Sequence, residues 1–335
     1  MDIRKVQLSG GSSFIVSLPR EWIKSTGIKK NDPVGLIIQP DGTLLVTPRT
    51  DSEQVRKEKL FEVNTSTDET SFFRDLIGAY ISGYTTITVR AEGRLSAFVI
   101  PRVRDFTSMA IGQEVVDETE NSIILRDLLN PSEMPMDSTI RRMSTIVVRM
   151  HEDAVTALKT SDTALARGVM ERDNDVDRLH WLIARQTNLI FHDVRLSRKM
   201  DIPPAMAAHY SQISKIVERI GDHATKIAGS SLSLEKGDVD NELLHVIGKA
   251  GGYALGIFRQ AVNAFFEKDL IKANEAISKV PHLEATCREI SRRSVAYDAA
   301  VAIHLVSISE SIRRVGDYSA DISEHAINSV VGEEG

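Results

Sequence analysis

The chain has 335 residues, of which 42% are hydrophobic and 26% charged, with a formal net charge of −6. These are ordinary values for a soluble globular protein and exclude wholesale disorder, while the length predicts two or three domains. No run approaches about 18 uncharged apolar residues and the first residues lack an apolar signal core, so we expect a cytoplasmic protein without a membrane span or export signal. The single cysteine, Cys287, excludes an intramolecular disulfide and a thiolate metal cage within one chain.

Residues 1–50 predict a small unit of short strands. In chain order, the expected elements are a strand over 4–8, a turn at Gly10-Gly11, a strand over 14–19, a helix over 20–26 ended by Gly27, and a hairpin of 33–39 and 43–48 around Pro40-Asp41-Gly42. So small a unit buries little surface alone, and we expect a partner to cover its sheet edges. Its 7 lysine and arginine residues outnumber its 4 acidic ones, so this segment alone could favour a polyanion through its own charge.

Residues 51–137 predict a compact α/β middle domain without a catalytic motif. A polar stretch over 49–59 precedes it, and strand and helix patterns then alternate. The expected elements are a strand over 60–63, a helix over 70–83, a strand over 85–90, a helix over 96–111 and one or two strands within 115–129.

From residue 138 onward, apolar residues recur at spacings of three and four, which indicates long helices. The expected helices cover 139–160, 163–196 and 203–230, followed by 241–266, 269–299 and 300–331. The two trios repeat, since residues 154–173 align with 261–280 at an offset of 107 and 218–223 align with 313–318 at an offset of 95. We therefore predict two sequential three-helix bundles over 138–233 and 238–331. The fold class is multidomain α+β.

Two carboxylate pairs stand out in the first bundle. Asp173 and Asp177 are spaced i and i+4 on one predicted helix, as are Glu218 and Asp222 on the next, so each pair shares a helix face. We expect both pairs to point outward from the apolar stripe and, on antiparallel helices, to meet. Four carboxylates suit iron, manganese or magnesium, and an imidazole from His180 or His223 would favour iron or zinc. The competing interpretation is a solvated acidic surface.

The basic residues of the first segment are candidates for phosphate contacts to DNA. Arg4 and Lys5 begin the first strand, and Arg20 and Lys24 lie at the corner between strand and helix. Lys29 also lies nearby, in the loop that follows. The competing interpretation is ordinary surface charge on a small β unit.

The first segment resembles the AbrB/SpoVT swapped-hairpin family. The resemblance is carried by RKVQLSGGSSFIVSLPREW at positions 4–22 and GIKKNDPV at 27–34, although Asn31 replaces the glycine usual before the aspartate. The resemblance implies a homodimer of interleaved hairpins that commonly binds DNA.

The helical part resembles the PhoU family of phosphate-uptake regulators. The matching motifs are ARGVMERDNDVDRL at 166–179 and VERIGDH at 217–223. The resemblance implies surface metal clusters held by acidic pairs, which would make Asp173, Asp177, Glu218 and Asp222 the ligands. The second bundle departs from this pattern, because Val280 stands opposite Asp173 in the alignment and Arg313 opposite Glu218. A cation there would be repelled by Arg313, so a second cluster is not expected.

The combination of an AbrB/SpoVT-like first segment with PhoU-like helices resembles archaeal regulators of phosphate metabolism. It leaves three hypotheses about function. The first is a homodimeric, non-enzymatic transcriptional regulator that binds DNA through its first domain and senses phosphate status through its bundles. The alternative is a protein-contact regulator of a phosphate transporter or sensor kinase, with the first domain as a dimeriser. A carboxylate-metal enzyme is disfavoured, because outward-facing acids leave no dry pocket for a substrate.

Overall fold

A computed structural model describes residues 2–39, 42–48 and 57–333. The chain divides into two compact units, Met1–Val55 and Arg56–Gly335. The predicted turn residues Pro40 and Asp41 and most of the predicted polar stretch, residues 49–56, lie outside the described residues.

The first unit consists of two antiparallel hairpins and one short helix. Its elements are β1 (Gln7–Ser9), β2 (Ser13–Ile15), α1 (Arg20–Thr26), β3 (Gly35–Ile38) and β4 (Leu44–Thr47), with β1 paired to β2 and β3 to β4. Gly10 and Gly11 turn the first hairpin with φ of 62° and 85°, values that an L side chain rarely adopts. Gly27 ends α1 in the same left-handed region. The predicted order of elements is confirmed.

This first unit leaves large apolar side chains in solvent. Phe14 is 76% exposed and Ile38 70%, whereas Ile37 is the only fully buried hydrophobic residue in the described part of the unit. An apolar surface of this kind is typical of an interface.

The middle region is a four-stranded sheet covered by two helices. Its elements are β5 (Glu58–Glu62), α2 (Glu69–Ile81), β6 (Thr86–Arg90), α3 (Val99–Met109), β7 (Gln113–Glu118) and β8 (Ser122–Asp127). The strand order is β5-β6-β8-β7, with β5 parallel to β6 and the other pairs antiparallel. Inward-facing side chains of the sheet, such as Ile87 and Leu125, form one hydrophobic cluster with Leu76 and Phe106 of the helices.

Seven α-helices follow in the described residues up to position 333. They are α4 (Met136–Thr160), α5 (Thr163–His192), α6 (Val194–Met200), α7 (Pro204–Leu232), α8 (Asn241–Glu267), α9 (Leu270–Ser294) and α10 (Ala299–Glu333). Helices α4, α5 and α7 form one bundle and α8, α9 and α10 the other, with α7 against α10 and α4 against α8. Both bundles share one hydrophobic cluster.

Two predicted helices were too long at their C-terminal ends. The helix expected over 269–299 ends at Ser294. The helix expected over 163–196 ends at His192, because Asp193 adopts an extended backbone and its carboxylate accepts a hydrogen bond from the Arg195 amide at the start of α6. The predicted start of this same helix was right, because the Asp162 carboxylate caps α5 by accepting a hydrogen bond from the Leu165 amide at 2.9 Å. No helix in the described part of the chain is long and apolar enough to cross a bilayer.

A buried ion pair ties the sheet to the first bundle. Arg185 of α5 donates to the Asp127 carboxylate at the end of β8 and to the Tyr80 carbonyl oxygen, and the charged side chains are only 3% and 2% exposed. The middle region therefore packs on α5, although it keeps its own hydrophobic cluster. The domain boundaries at residues 50 and 137 stay a prediction.

Candidate functional site

The four predicted acids lie along the seam between α5 and α7. Asp173 and Asp177 project from α5 and Glu218 and Asp222 from α7, and each is partly buried. The two helices are in contact at this point, since a Cβ atom built on Gly221 of α7 would lie at an ordinary contact distance of 3.7 Å from Asp173 Oδ1 of α5. The structure therefore brings both i, i+4 pairs together.

These acids lie deeper than the sequence analysis expected. Glu218 was predicted to point away from the apolar stripe, yet its side chain is only 12% exposed. The reason is that α5 packs beside α7 and covers the flank of its apolar stripe. The expectation of fully outward-facing carboxylates was wrong.

Burial and mutual repulsion destabilise the charged forms of these acids. Burial, followed by the charges of Asp222 and Glu218, raises the pKa of Asp173 to about 6. Burial and the other three carboxylates raise the pKa of Asp177 to about 7, and burial with the charge of Glu218 raises the pKa of Asp222. The acids therefore form one electrostatically coupled group.

Only part of this negative charge is compensated. Lys215 Nζ donates to Glu218 Oε1 at 2.8 Å, a contact that the i, i+3 spacing of the two residues could have suggested. Asp173 Oδ1 and Glu218 Oε2 are buried, and neither has a hydrogen-bond partner within the described residues. An unpartnered buried carboxylate oxygen is costly, so both atoms favour a bound cation or water.

The two candidate histidines do not join this group. His180 Nδ1 lies 3.0 Å from Ser214 Oγ. The His223 ring packs against Tyr318 of the second bundle, with ring centroids 5.8 Å apart. Burial lowers the pKa of each histidine to about 4. Both rings are therefore neutral at pH 7, and His223 Nδ1 is buried without a hydrogen-bond partner within the described residues.

The side chains, as placed, do not form a closed coordination shell. Within residues 2–39, 42–48 and 57–333, no three His, Cys, Asp or Glu side chains converge on a point that could hold a metal ion. The chemistry of the donors still fits a hard or borderline divalent cation, because the carboxylates repel one another and two of their oxygens are unpartnered.

The second bundle replaces this arrangement with an internal cation. Arg313 aligns with Glu218, and its guanidinium donates to Asp317 at 2.7 Å and to Glu310 at 2.7 Å, while Glu284 lies 4.0 Å away. Arg313 thus supplies an internal positive charge to the acids that remain at these positions.

The four candidate DNA-contacting residues are exposed in the first unit. Arg4 and Lys5 precede β1, and Arg4 pairs with Asp2 at 3.3 Å. Arg20 and Lys24 lie one turn apart on α1, so both project from one face of that helix.

Two protein families match segments of the chain. The PhoU domain matches residues 140–230 and 247–326, which together make up about half of the chain and lie within the two bundles. The chain belongs to the PhoU family. Residues 7–54 of this PhoU family member match the family described as antidote-toxin recognition MazE, bacterial antitoxin.

Bacterial relatives of this PhoU family member cover the helical part. A phosphate-specific transport system accessory protein PhoU homolog of Caulobacter vibrioides is 25% identical over 205 residues, covering 59% of this chain and 88% of that protein. Its counterpart in Pseudomonas putida is 29% identical over 213 residues, covering 59% and 78%.

Solved PhoU structures share the helical fold. PhoU from Pseudomonas aeruginosa superposes with a TM-score of 0.53 at 20% identity, covering 59% of this chain and 96% of that one. The phosphate transport system regulatory protein PhoU from Streptococcus pneumoniae gives 0.52 at 18% identity, covering 59% and 94%. At these identities the likeness establishes the fold.

Proposed function

We propose that this protein is a non-enzymatic accessory regulator of phosphate uptake that acts by contact with a phosphate transporter or its sensor kinase. The match of the PhoU domain to both bundles carries the proposal. The names of the bacterial relatives support it, since these proteins are called accessory to phosphate-specific transport.

The test is recovery of the full-length protein with its partners from cells starved of phosphate and from cells supplied with it. Cross-linking before lysis, followed by mass spectrometry of the captured proteins, should identify transporter or sensor-kinase subunits, in amounts that change with phosphate supply. Capture from cells lacking the transporter genes is the control. Absence of these subunits under both conditions would refute the proposal.

The four-carboxylate group is proposed as a divalent cation site. Asp173, Asp177, Glu218 and Asp222 would hold iron, zinc, manganese or magnesium. The cation would neutralise the four acids, of which Asp173, Asp177 and Asp222 have a pKa raised by burial. Its role would be structural or sensory.

The first unit is proposed as a homodimerisation domain. Its exposed apolar side chains support this, because a second copy would cover them, and so does its match to an antitoxin family. A truncated protein beginning at residue 57 should then sediment at the mass of one chain, and the full-length protein at the mass of two.

A second candidate function is DNA-binding regulation of transcription. The exposed basic residues Arg4, Lys5, Arg20 and Lys24 on the antitoxin-like unit favour it. Binding to DNA from upstream of its own gene, compared with a scrambled duplex over a salt titration, tests it. Specific binding that weakens in Lys5→Ala and Arg20→Ala supports this function, and equal or absent binding leaves the first unit as a dimeriser.

A further inference from the structure

A groove between the two bundles carries an excess of arginine. Helices α4 and α8 border this α4/α8 groove, a concavity of about 480 Å³, which lies within the usual range for ligand sites. The lining residues that can donate hydrogen bonds to an anion include Arg141, Arg149, Arg259 and Asn263. Val148, Phe258 and Val262 supply apolar surface to the same groove.

The positive charge of the α4/α8 groove is only partly neutralised. Its one acidic residue, Glu152, accepts a hydrogen bond from Arg259 at 2.5 Å. Arg149 is exposed and has no hydrogen-bond or ion-pair partner within the described residues. Three guanidinium groups against one carboxylate leave an excess of two positive charges in one concavity. Such a surface favours a multivalent anion.

One of the arginines is held in place by an aromatic ring. The Arg141 guanidinium carbon lies 3.9 Å from the centroid of the Phe266 ring, within cation-π distance. Stacking leaves the edge of the guanidinium plane, where its N–H groups lie, available to a ligand. The planar fork of arginine matches the oxygens of a phosphoryl group in bidentate geometry.

The groove is elongated along the helices. Arg141 contacts Phe266 at one end and Glu152 contacts Arg259 at the other, so α4 and α8 run antiparallel here. Arg141 and Arg149 are two turns apart, which places their Cα atoms about 12 Å apart along α4. Because stacking on Phe266 holds the Arg141 guanidinium at that end of the groove, a chain of linked phosphoryl groups can contact it and Arg149 together without displacing it from the ring.

We propose that the α4/α8 groove binds a small anion with two or more linked phosphoryl groups, held at its ends by Arg141 and Arg149. The choice of phosphate over other multivalent anions rests on the proposed function in phosphate regulation. The same polyphosphate chain occurs in inorganic polyphosphate and in nucleoside triphosphates. The apolar surface from Phe258 and Val262 would contact a base in the second case.

The test is calorimetric titration of the full-length protein at about 0.15 M salt, with a chelator present so that no cation bridges the ligand to the carboxylates. Tripolyphosphate should bind, and Arg149→Ala and Arg141→Ala should each weaken binding roughly 10- to 100-fold, as expected for loss of a charge-assisted hydrogen bond. Arg142→Ala is the matched control, because that exposed arginine lies outside the groove. Arg149 makes no internal contact, so its variant should fold normally.

Comparing ATP with tripolyphosphate distinguishes a nucleotide ligand from an inorganic polyphosphate. Tighter binding of ATP than of tripolyphosphate assigns the groove to a nucleotide, and equal or weaker binding assigns it to an inorganic chain. The proposal is overturned if neither ligand binds, if orthophosphate binds as tightly as both, or if Arg149→Ala binds like wild type. Capture of transporter subunits does not depend on this titration, so a negative result here leaves the proposed function intact.

Discussion

Arg313 and Asp317 form a hydrogen-bonded ion pair at 2.7 Å in the second bundle, at the positions that align with Glu218 and Asp222 in the first. One half of the repeat thus supplies its own cation, and the other half leaves its acids to repel one another. The two bundles share a helical frame but differ in electrostatics, and aligned substitutions in them should have opposite effects on stability.

Asp222→Asn should stabilise the protein when metal is removed, and Asp317→Asn should destabilise it. The folded state raises the pKa of Asp222, so its ionised form opposes folding once the pH exceeds the ordinary value near 3.8, and an amide removes that cost. Asp317→Asn removes an attractive partner of Arg313. Urea unfolding at pH 7.5 with chelator should show changes of opposite sign, each on the order of 1 kcal/mol or less for these partly exposed groups.

The control for this pair is Asp175→Asn, whose carboxylate is exposed and lies 3.9 Å from Arg178. It should change the free energy of unfolding by less than about 0.5 kcal/mol. Destabilisation by Asp222→Asn as large as that by Asp317→Asn would contradict the view that the first group is internally repulsive.

Divalent cations should raise the melting temperature of the wild-type protein through the first bundle. Mn²⁺ or Fe²⁺ bound by Asp173, Asp177, Glu218 and Asp222 would replace protons, so the rise should be larger at pH 7.5 than at pH 5.5. The double variant Asp177→Ala, Asp222→Ala should lose the effect, and Asp317→Asn should keep it. Thermal melts combined with metal analysis of the purified protein test this. An equal rise in the double variant would place the cation elsewhere.

Most of the helical fold could be predicted from the periodicity of apolar residues in the sequence. Polar caps such as Asp162 marked helix starts, but the break at Asp193 was missed because a single capping aspartate interrupts an otherwise helical pattern. For the site, i, i+4 spacing placed both acidic pairs on their helices. The burial of Glu218 was not predictable, because it depends on how closely α5 packs against α7.

The α4/α8 groove could not be predicted from the sequence. Arg141, Arg149 and Arg259 are scattered among many charged helix-surface residues, and Arg259 lies more than 100 positions from the other two. Only the antiparallel packing of α4 on α8 brings them to one concavity. The spacing of residues within one helix cannot identify a site that is formed by helices from both three-helix bundles.

Loss of the buried Asp127–Arg185 pair should strongly destabilise the chain. Asp127→Ala leaves the Arg185 guanidinium buried with only the Tyr80 carbonyl oxygen as an acceptor, and an uncompensated buried charge costs about 3 to 5 kcal/mol. Replacing both residues by apolar ones, Asp127→Leu with Arg185→Met, should recover much of this loss. Chemical denaturation of the three proteins gives the comparison.

The matched control is the exposed pair Arg292–Glu289 at 2.9 Å on α9, where Glu289→Ala should cost less than about 1 kcal/mol. If Asp127→Ala cost no more than Glu289→Ala, the pair would not be the tie between the sheet and the first bundle.

His151 should make the protein less stable in mild acid. Its ring is buried and its Nε2 lies 2.7 Å from the Ile220 carbonyl oxygen, and burial lowers its pKa from 6.5 to about 4. The unfolded chain therefore binds a proton between those values that the folded chain does not, so stability present above pH 6.5 is lost as the pH falls towards 4, by about 2 kcal/mol at pH 5. His151→Gln keeps a donor for Ile220 and should flatten this dependence. Urea unfolding of the wild-type and variant proteins at pH 7.5 and pH 5 gives the loss of unfolding free energy in each. Subtracting one loss from the other cancels the titration of the other buried groups. Equal losses in the two proteins would contradict the assignment to His151.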